Sequence, residues 1–463
     1  MRCRWFLFAL LLVTLTAFVV SAQPPIQPKD GKYIVPLTVE PVAPARPSLK
    51  YTLLPELRER QVGNQIPAFY KCFFEQNYLF HNKESTDKQA KWMEAPLADL
   101  AKEKELIGYG GFAVKHANYA ARLDTVDWQI TQQAKTDGVG LLLPDIQQMR
   151  MLAAVLKIRI RGEIARGEFD NAIHSLQTLF ALAHTFNDHP TLIGHLVGMA
   201  LASIALGGVE EFIQQPGAPN LFWALTDLPS PFIDLRKGRE GEKLFLTKEY
   251  DVLRKAAPVT ETDLNALLKN LDGMVGDEPN AKEENAPSVW YKKQAKDKEA
   301  VAAAIERLKG FGHKPDDLAK LPPLQVIVMD DFTQYQADLD DFLKWTNVPF
   351  WQVPADLAKP KRPGGFGLLL PQYTKVLQAK IRIQQHAALL TTAEGVRAFA
   401  AENGGKLPAT LDAIKLPLPA DPVTGKLFVY EVKDGQAVLR GTAPPGREKE
   451  PSFNRVYEIT IRK

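Results

Sequence analysis

Apolar residues recur at three- and four-residue steps between Pro144 and Gln215, a spacing typical of amphipathic helices. Pro144 and the acid that follows it suit a helix start, because proline is tolerated in the first turn and an acid complements the helix dipole. Gly167 ends this first helix, and the apolar pattern resumes at Phe169. The pattern therefore predicts three consecutive helices, the third over about 190–213.

The turn between the first two helices, from Arg166 to Ile173, looks like the turn inside a tetratricopeptide repeat. A glycine closes it, an aromatic residue packs beneath it, and Ala-Ile begins the second helix. A solenoid needs about three stacked repeats, and no second copy occurs about 34 residues away. We therefore expect an irregular helical domain with one such hairpin; a tetratricopeptide-like array is the alternative. More helices are predicted near 247–256, 261–274, 295–309 and 324–346, whereas turn residues dominate 216–246.

The last hundred residues follow a different pattern. A long helix is predicted from about Gln372 to Asn403, followed by three strand-like runs, and Asp434-Gly435 between the first two is a hairpin signal. The fold class is therefore mainly α, with a small α+β module of a long helix and an antiparallel hairpin at the C-terminus. The strand-like runs are Phe428–Val432, Ala437–Arg440 and Tyr457–Ile461.

The first 22 residues have the order of a secretory signal peptide. Arg2 and Arg4 precede an apolar run that ends at Val20, and small residues follow up to Ala22. The run is slightly short for a membrane span, which needs about 20 apolar residues. We expect an exported protein, periplasmic or extracellular, that is cleaved after Ala22 and has no membrane span after cleavage.

Changes in composition then suggest the domain organisation. A proline-rich stretch resembles a linker and contains one short edge strand near 33–39, and a second breaker-rich stretch separates the helical domain from the C-terminal module. The predicted divisions are 1–22 signal peptide, 23–52 linker, 53–348 helical domain, 349–371 linker and 372–463 α+β module.

Charge and cysteine content exclude several classes. The net charge is +3, and loss of Arg2 and Arg4 leaves +1, with basic residues mixed among acids. A nucleic-acid partner is not expected, because proteins that bind nucleic acids concentrate basic residues on one face.

Cys72 is the single cysteine after cleavage, so the mature chain has no intrachain disulfide. We expect Cys72 to be a small buried hydrophobe; a reactive thiol or an intermolecular disulfide is the alternative.

Motifs that carry chemistry are scarce. The densest histidines, His184, His189 and His195, are five and six residues apart and do not match the four-residue step of a zinc hydrolase helix. There is no Gly-x-Ser-x-Gly elbow. The glycine clusters at 108–111 and 364–367 lack the Gly-Lys-Ser/Thr ending of a phosphate loop and are expected to be turns. We predict no cofactor and no metal site, and identify no catalytic residue.

Acidic residues flank the helix predicted over 324–346. Paired carboxylates serve as acid and base when one lies in an apolar pocket, but acids opposite an apolar stripe more often form a solvated face.

Asp421 is either a calcium ligand or, as we prefer, a turn residue. Four aromatic residues near 349–371 either stack on a sugar or, as we prefer, seal a domain junction. The acids are Asp330, Asp331, Asp338, Asp340 and Asp341, and the aromatics are Trp345, Phe350, Trp351 and Phe366.

Three sequence segments resemble those of a family of uncharacterised exported proteins of planctomycete bacteria. They are Leu49–Pro55 with Gly63-Asn64 behind it, Leu143-Pro144-Asp145 with its helices, and Ala218–Pro229. The likeness covers about residues 45–250 and implies an exported helical protein, with no activity attached.

A second, shorter likeness lies near the C-terminus. Residues 399–430 resemble the soluble head of a pseudopilin, in which a helix ends in Asn-Gly-Gly, Leu-Pro follows, and Asp-Pro-x-Thr-Gly leads into a strand. A pilin has an apolar N-terminal spine, whereas the helix here carries charges such as Lys380 and Arg382. We therefore expect shared topology at most, and no assembly into a pilus.

The helical hairpin and the lack of a recognised catalytic or metal-binding motif together favour a non-enzymatic interaction or scaffold role in the cell envelope. Helical hairpin stacks present concave surfaces to other proteins, so envelope proteins are the expected partners. The binding surface is expected on helices 145–166 and 190–213. The alternatives are a hydrolase of envelope or extracellular polymers that uses dispersed carboxylates, and a structural subunit that associates with itself.

Overall fold

The computed structural model describes residues 28, 30–74, 77–137, 141, 143–275, 286–354, 365–367 and 371–462. Within these ranges the chain forms 17 α-helices and six strands. The mainly helical fold class with a small C-terminal α+β module is confirmed. The predicted signal peptide and most of the second linker lie outside the described residues.

The helices and strands have the following bounds. The helices are α1 Gln65–Tyr70, α2 Asn77–His81, α3 Lys83–Glu94, α4 Leu97–Leu100, α5 Gly111–Ala120, α6 Thr131–Asp137, α7 Pro144–Ala165, α8 Phe169–His184, α9 Leu192–Phe212, α10 Phe222–Thr226, α11 Arg236–Tyr250, α12 Glu261–Val275, α13 Pro287–Gln294, α14 Lys298–Gly310, α15 Pro315–Leu318, α16 Pro323–Leu343 and α17 Pro371–Glu402. The strands are β1 Tyr33–Val39, β2 Gln61–Asn64, β3 Leu123–Thr125, β4 Val429–Lys433, β5 Gln436–Arg440 and β6 Arg455–Ile461.

The three predicted helices α7, α8 and α9 form the centre of the molecule, each packed against the other two. Gly167 turns the chain between α7 and α8 at φ 72°, a conformation that glycine adopts without steric cost. Phe169 then packs edge-to-face on Phe212 of α9, with ring centroids 5.2 Å apart. The helical hairpin is therefore confirmed, and a third helix covers it.

The C-terminal sheet has the strand order β1-β6-β5-β4. The predicted hairpin is confirmed: β4 and β5 are antiparallel, and Asp434 and Gly435 turn between them at φ 51° and 80°. The predicted edge strand is also confirmed, but it pairs in parallel with β6, from Tyr33 opposite Arg455 onward. Pro36 explains the edge position, since proline cannot donate to a ladder and is confined to edge strands. The proline-rich stretch thus contributes a strand to the C-terminal sheet.

The prediction that 216–246 is rich in turns is confirmed for 216–221 and 227–235, but it is wrong for the remainder, where α10 and α11 lie. Glycines inside α11 weaken its helical pattern, but close packing requires them. A Cβ on Gly238 would lie 2.6 Å from the His195 ring, and one on Gly241 would lie 1.5 Å from the Pro190 carbonyl oxygen. The parallel pair β2–β3 was also not predicted, since its strands are short and lie about 60 residues apart in sequence.

One hydrophobic core runs through the helices and the C-terminal sheet, from Val35 to Ile459. Helix α17 packs on α9 and α10, and so joins the C-terminal module to the central helices. Helix α9 is long and apolar enough to cross a membrane, but 83% of its most apolar window is buried inside the protein. Core helices have the same composition, so the apolar character of α9 is accounted for by its place in the fold.

Candidate functional site

An apolar pocket of about 180 Å³ lies where the central helices meet the C-terminal module. We call it the junction pocket. Helices α8, α9 and α17 form its walls, and the segments after α10 and around 417–419 close its sides. Its lining includes Phe180, Ala202, Leu206, Ile383, Ala388 and Pro419.

The junction pocket opens to solvent, because Pro229, Ser230 and Pro417 at its edge are exposed. Its inner wall is apolar, with Phe180 and Leu206 almost fully buried. Ligand sites are concave and mostly apolar, with a few polar groups at fixed places. The junction pocket fits that description for an apolar group presented from outside.

Buried charges fix the helices around the junction pocket. Glu210 of α9 is 1% exposed, and its Oε2 accepts hydrogen bonds from three groups on α17 and β6. Nε2 of His386 donates at 3.2 Å, Nη1 of Arg455 at 2.6 Å, and the hydroxyl of Tyr457 at 2.6 Å. One carboxylate therefore ties the central helix to both parts of the C-terminal module.

The protonation states of this cluster follow from its surroundings. Burial opposes ionisation of Glu210, but the charge of Arg455 and the hydrogen bond from His386 hold its pKa at about 2. Burial, aided by the charge of Arg455, lowers the pKa of His386 to about 4. At neutral pH the cluster thus contains a carboxylate, a guanidinium and an uncharged imidazole that donates through Nε2.

A second buried pair holds α17 against the loop before α10. Arg397 donates through Nη1 to Glu394 at 2.8 Å, and both side chains are inaccessible to solvent. Arg397 also donates to the Ala218 carbonyl at 2.9 Å. Asn220 donates to the carbonyl oxygens of Glu394 and Val42, each at 3.0 Å. The walls of the pocket are therefore set by hydrogen bonds that water does not reach.

The predicted binding helices are mostly buried. Of α7 and α9, only α9 lines the junction pocket, through Ala202 and Leu206. Helix α7 lies in the core, with side chains such as Leu152 and Leu156 inaccessible to solvent. The surface on which binding was predicted is thus covered for the most part, on α7 by α3, α4 and α8 and on α9 by α8 and α17. Where a partner binds stays a prediction.

The three histidines do not form one cluster. His189 and His195 are buried and both contact Thr191, whereas His184, at the end of α8, packs edge-to-face on Phe232. Nε2 of His189 is 3.8 Å from Oδ2 of Asp145, and Nδ1 of His195 is 2.8 Å from the Thr191 carbonyl oxygen. Among the described residues, no three His, Cys, Asp or Glu side chains are grouped as a metal ion requires.

The acidic run on α16 divides into two parts. Asp330 and Asp331 are each 4% exposed, so the prediction of a solvated face is wrong for these two. They lie on the side of α16 that packs against α13 and α14. Asp338, Asp340 and Asp341 are half-buried or exposed.

Cys72 and Asp421 lie in the environments that we preferred from the sequence, a buried thiol and a turn carboxylate. Cys72 is buried, and burial raises the pKa of its thiol to about 12, so it is a small hydrophobe and not a reactive thiolate. Asp421 is also buried and closes its turn: Oδ1 accepts from the Val423 amide at 3.0 Å, and Oδ2 from the Thr442 amide at 2.7 Å. Turn formation thus accounts for this carboxylate.

The four aromatic residues have different environments. Phe366 is fully buried, with its ring centroid 5.1 Å from those of Tyr250 and Phe332. Trp351 is 48% exposed and lies over Gly425 in the C-terminal module. Phe350 and Trp345 are half-buried. Trp351 therefore contributes to the contact between the two parts of the chain, as the junction interpretation predicted. That interpretation is wrong for Phe366, which packs on aromatic rings of the helical part alone.

No family model, curated protein or solved structure matches this chain. The junction pocket is accordingly defined by its geometry alone. Glu210 and Glu394, the acids that fix its walls, were missed from sequence, because each resembles an ordinary polar residue on a helix. Their uncharged neighbours were the available signal: Glu210 follows Gly207-Gly208-Val209 and Glu394 follows Thr391-Thr392-Ala393.

Proposed function

We propose that the protein is exported to the cell envelope and acts there by binding another protein, without catalysing a reaction. The observation that carries this proposal is the junction pocket, an apolar hollow that opens to solvent between two parts of the chain. The partner inserts one aromatic or branched aliphatic side chain into it. A cavity of about 150 Å³ holds a benzene molecule, so about 180 Å³ accommodates one such side chain.

The pocket has two properties of an interface anchor site. A few side chains that fill well-packed pockets carry most of the energy of protein interfaces. Pockets that exist before binding also reduce the entropy that association costs. The walls here are held by Glu210 and by the Glu394–Arg397 pair, and both are inaccessible to water.

Export rests on residues 1–22 and on the likeness of residues 45–250 to exported planctomycete proteins. The test is Edman sequencing or mass spectrometry of the mature protein from its native cells. A mature N-terminus at Gln23 in the envelope or medium fits the proposal, whereas recovery of uncleaved chain in the cytoplasm contradicts it.

The binding proposal is tested by filling the pocket. Ala388→Phe places a ring in the junction pocket, and Ala401→Phe places the same ring on an exposed position of the same helix. Tagged protein is captured from crosslinked native envelope and the bound proteins are quantified by mass spectrometry. We expect one stoichiometric partner that binds the wild type and Ala401→Phe, and that Ala388→Phe loses by about tenfold or more.

Two results would contradict this proposal. Either the bait is recovered alone across crosslinkers, or a partner is retained equally by both variants. If the captured partner is a second copy of the same chain, the interaction is self-association, the structural role considered from sequence. Thermal unfolding of both variants verifies that each is folded.

A hydrolase of envelope polymers is the second candidate, and one observation favours it. Asp330 and Asp331 are both buried and line the same cavity. An acid–base pair needs one carboxyl group in an apolar pocket, whereas both carboxylates here accept hydrogen bonds from fixed donors. Release of soluble fragments from purified envelope polymers, abolished by Asp331→Asn, would support this candidate over the first.

A further inference from the structure

A second cavity, of about 210 Å³, lies between α13, α14 and α16, and charged and amide side chains make up more of its lining than of the lining of the junction pocket. We call it the polar cavity. Its lining includes Trp290, Gln294, Arg307, Asp330, Asp331 and Gln334. It is distant in sequence from the junction pocket and shares no lining residue with it.

The charged groups of the polar cavity are fixed. Arg307 donates through Nε and Nη2 to the Asp330 carboxylate, at 3.1 and 2.7 Å. Oδ2 of Asp331 accepts from the Tyr291 hydroxyl at 2.5 Å and from the Phe366 amide at 3.1 Å. These donors orient both carboxylates without closing the space between the helices.

Two glutamine side chains in the wall of the polar cavity can form hydrogen bonds to a ligand. Gln294 and Gln334 are half-buried, and neither side chain makes a hydrogen bond within the part of the chain that the structure describes. A primary amide both donates and accepts. The half-buried indole of Trp290 adds an apolar surface, because it packs partly against the core.

Charge decides the class of ligand. Two carboxylates against one guanidinium disfavour an anion. Arg307, the Tyr291 hydroxyl and the Phe366 amide already donate to these carboxylates, which reduces their attraction for a cation. A neutral hydroxyl group both donates and accepts, so it satisfies amides and an ion pair alike. The volume equals that of about seven water molecules at about 30 Å³ each, enough for a single small ring and its substituents.

We propose that the polar cavity binds one neutral sugar residue, whose ring lies against Trp290 and whose hydroxyl groups bond to Gln294, Gln334 and the Asp330–Arg307 pair. A neutral ring of this kind has an apolar face of C–H groups and an edge of hydroxyls, which matches one aromatic and several polar walls. This proposal does not depend on the junction pocket or on a protein partner.

The test is ligand binding to the full-length mature protein, measured by saturation-transfer NMR and isothermal titration. The neutral probes are glucose, galactose and N-acetylglucosamine; tetramethylammonium and inorganic phosphate serve as cation and anion probes. We expect saturable binding of at least one sugar and none of either ion. Gln294→Leu and Gln334→Leu each weaken sugar binding by about tenfold, since one hydrogen-bonding amide is lost.

The matched control is Gln147→Leu, the same change at an exposed position of α7. It should bind the sugar as the wild type does. Failure of all three sugars to bind overturns the proposal, and so does binding that survives both cavity substitutions. Binding of tetramethylammonium or phosphate alone at this cavity would assign it to a charged ligand instead. None of these results bears on partner capture by the junction pocket.

Discussion

Acidic residues serve opposite purposes in two regions of this molecule. Around the junction pocket, Glu210 and Glu394 are inaccessible to solvent and each is bonded to an arginine. Along the second half of α16, Asp340 and Asp341 pair with lysines on the surface, and these carboxylates are 62% and 71% exposed. The contribution of a carboxylate to stability therefore depends on its burial and its partner, and not on how many acids lie near it in the sequence.

The largest effect is expected from breaking the most buried pair. Arg397→Ala leaves Glu394 buried without its cation and leaves the Ala218 carbonyl without this donor. Breaking a buried ion pair costs about 3–5 kcal/mol, so we expect a decrease of that size in the free energy of unfolding. Urea denaturation measures it. A decrease below about 1 kcal/mol would mean that water reaches the pair.

Acid should act next most strongly, through His386. Its pKa is lowered to about 4 in the folded protein, while the unfolded value is 6.5, so below pH 6.5 the unfolded chain binds a proton that the folded one does not. The free energy of unfolding therefore falls as the pH decreases from 6.5 to 4, by about 3 kcal/mol from this residue. Glu210 adds to the loss below pH 4.5, since Arg455 holds its folded pKa at about 2.

The measurement is urea denaturation of the wild type and His386→Gln across pH 4.5–7. Glutamine does not titrate, so its stability should depend less on pH in this window than that of the wild type. Identical slopes would contradict this, because they would show that His386 binds its proton over the same pH range in the folded protein as in the unfolded chain. Burial also lowers the pKa of His195 to about 4, and its contribution remains in both proteins.

A smaller effect is expected in the polar cavity. Asp330→Asn removes the charge that faces Arg307, but the arginine side chain is 46% exposed and water can replace part of the interaction. We expect a loss of about 1 kcal/mol in stability. Chemical denaturation tests this, with Asp338→Asn on the same helix as the control.

The smallest effect is expected on the exposed part of α16. Asp341→Asn breaks a surface pair with Lys344 in which both side chains are more than half exposed. The change in stability should lie within about 0.5 kcal/mol, because water and salt screen such pairs. A loss as large as that of Arg397→Ala would remove the contrast between the two regions.

The sequence predictions were correct where the structure depends on residues that are adjacent in the chain. Gly167 and Asp434-Gly435 require particular backbone angles, and each turn lies where it was predicted. The pairing of β1 with β6 could not be predicted, since the strand pattern near 33–39 does not indicate its partner. Glu210 and Glu394 were missed for a similar reason: their partners lie on other elements, and burial depends on how α9 and α17 pack. The acids of α16 could be identified from the sequence, but the sequence did not indicate which of them are buried.

The parallel pair β1–β6 has a consequence for how the protein is made. Tyr33 must find Arg455, and ribosomes add about 5–20 residues per second, so β1 waits about 20–80 s for its partner to be synthesised. During that time Val35, Leu37 and Val39 have no sheet to cover them. A chain that stops before β6 therefore leaves the apolar residues of β1 without the strand that pairs with them.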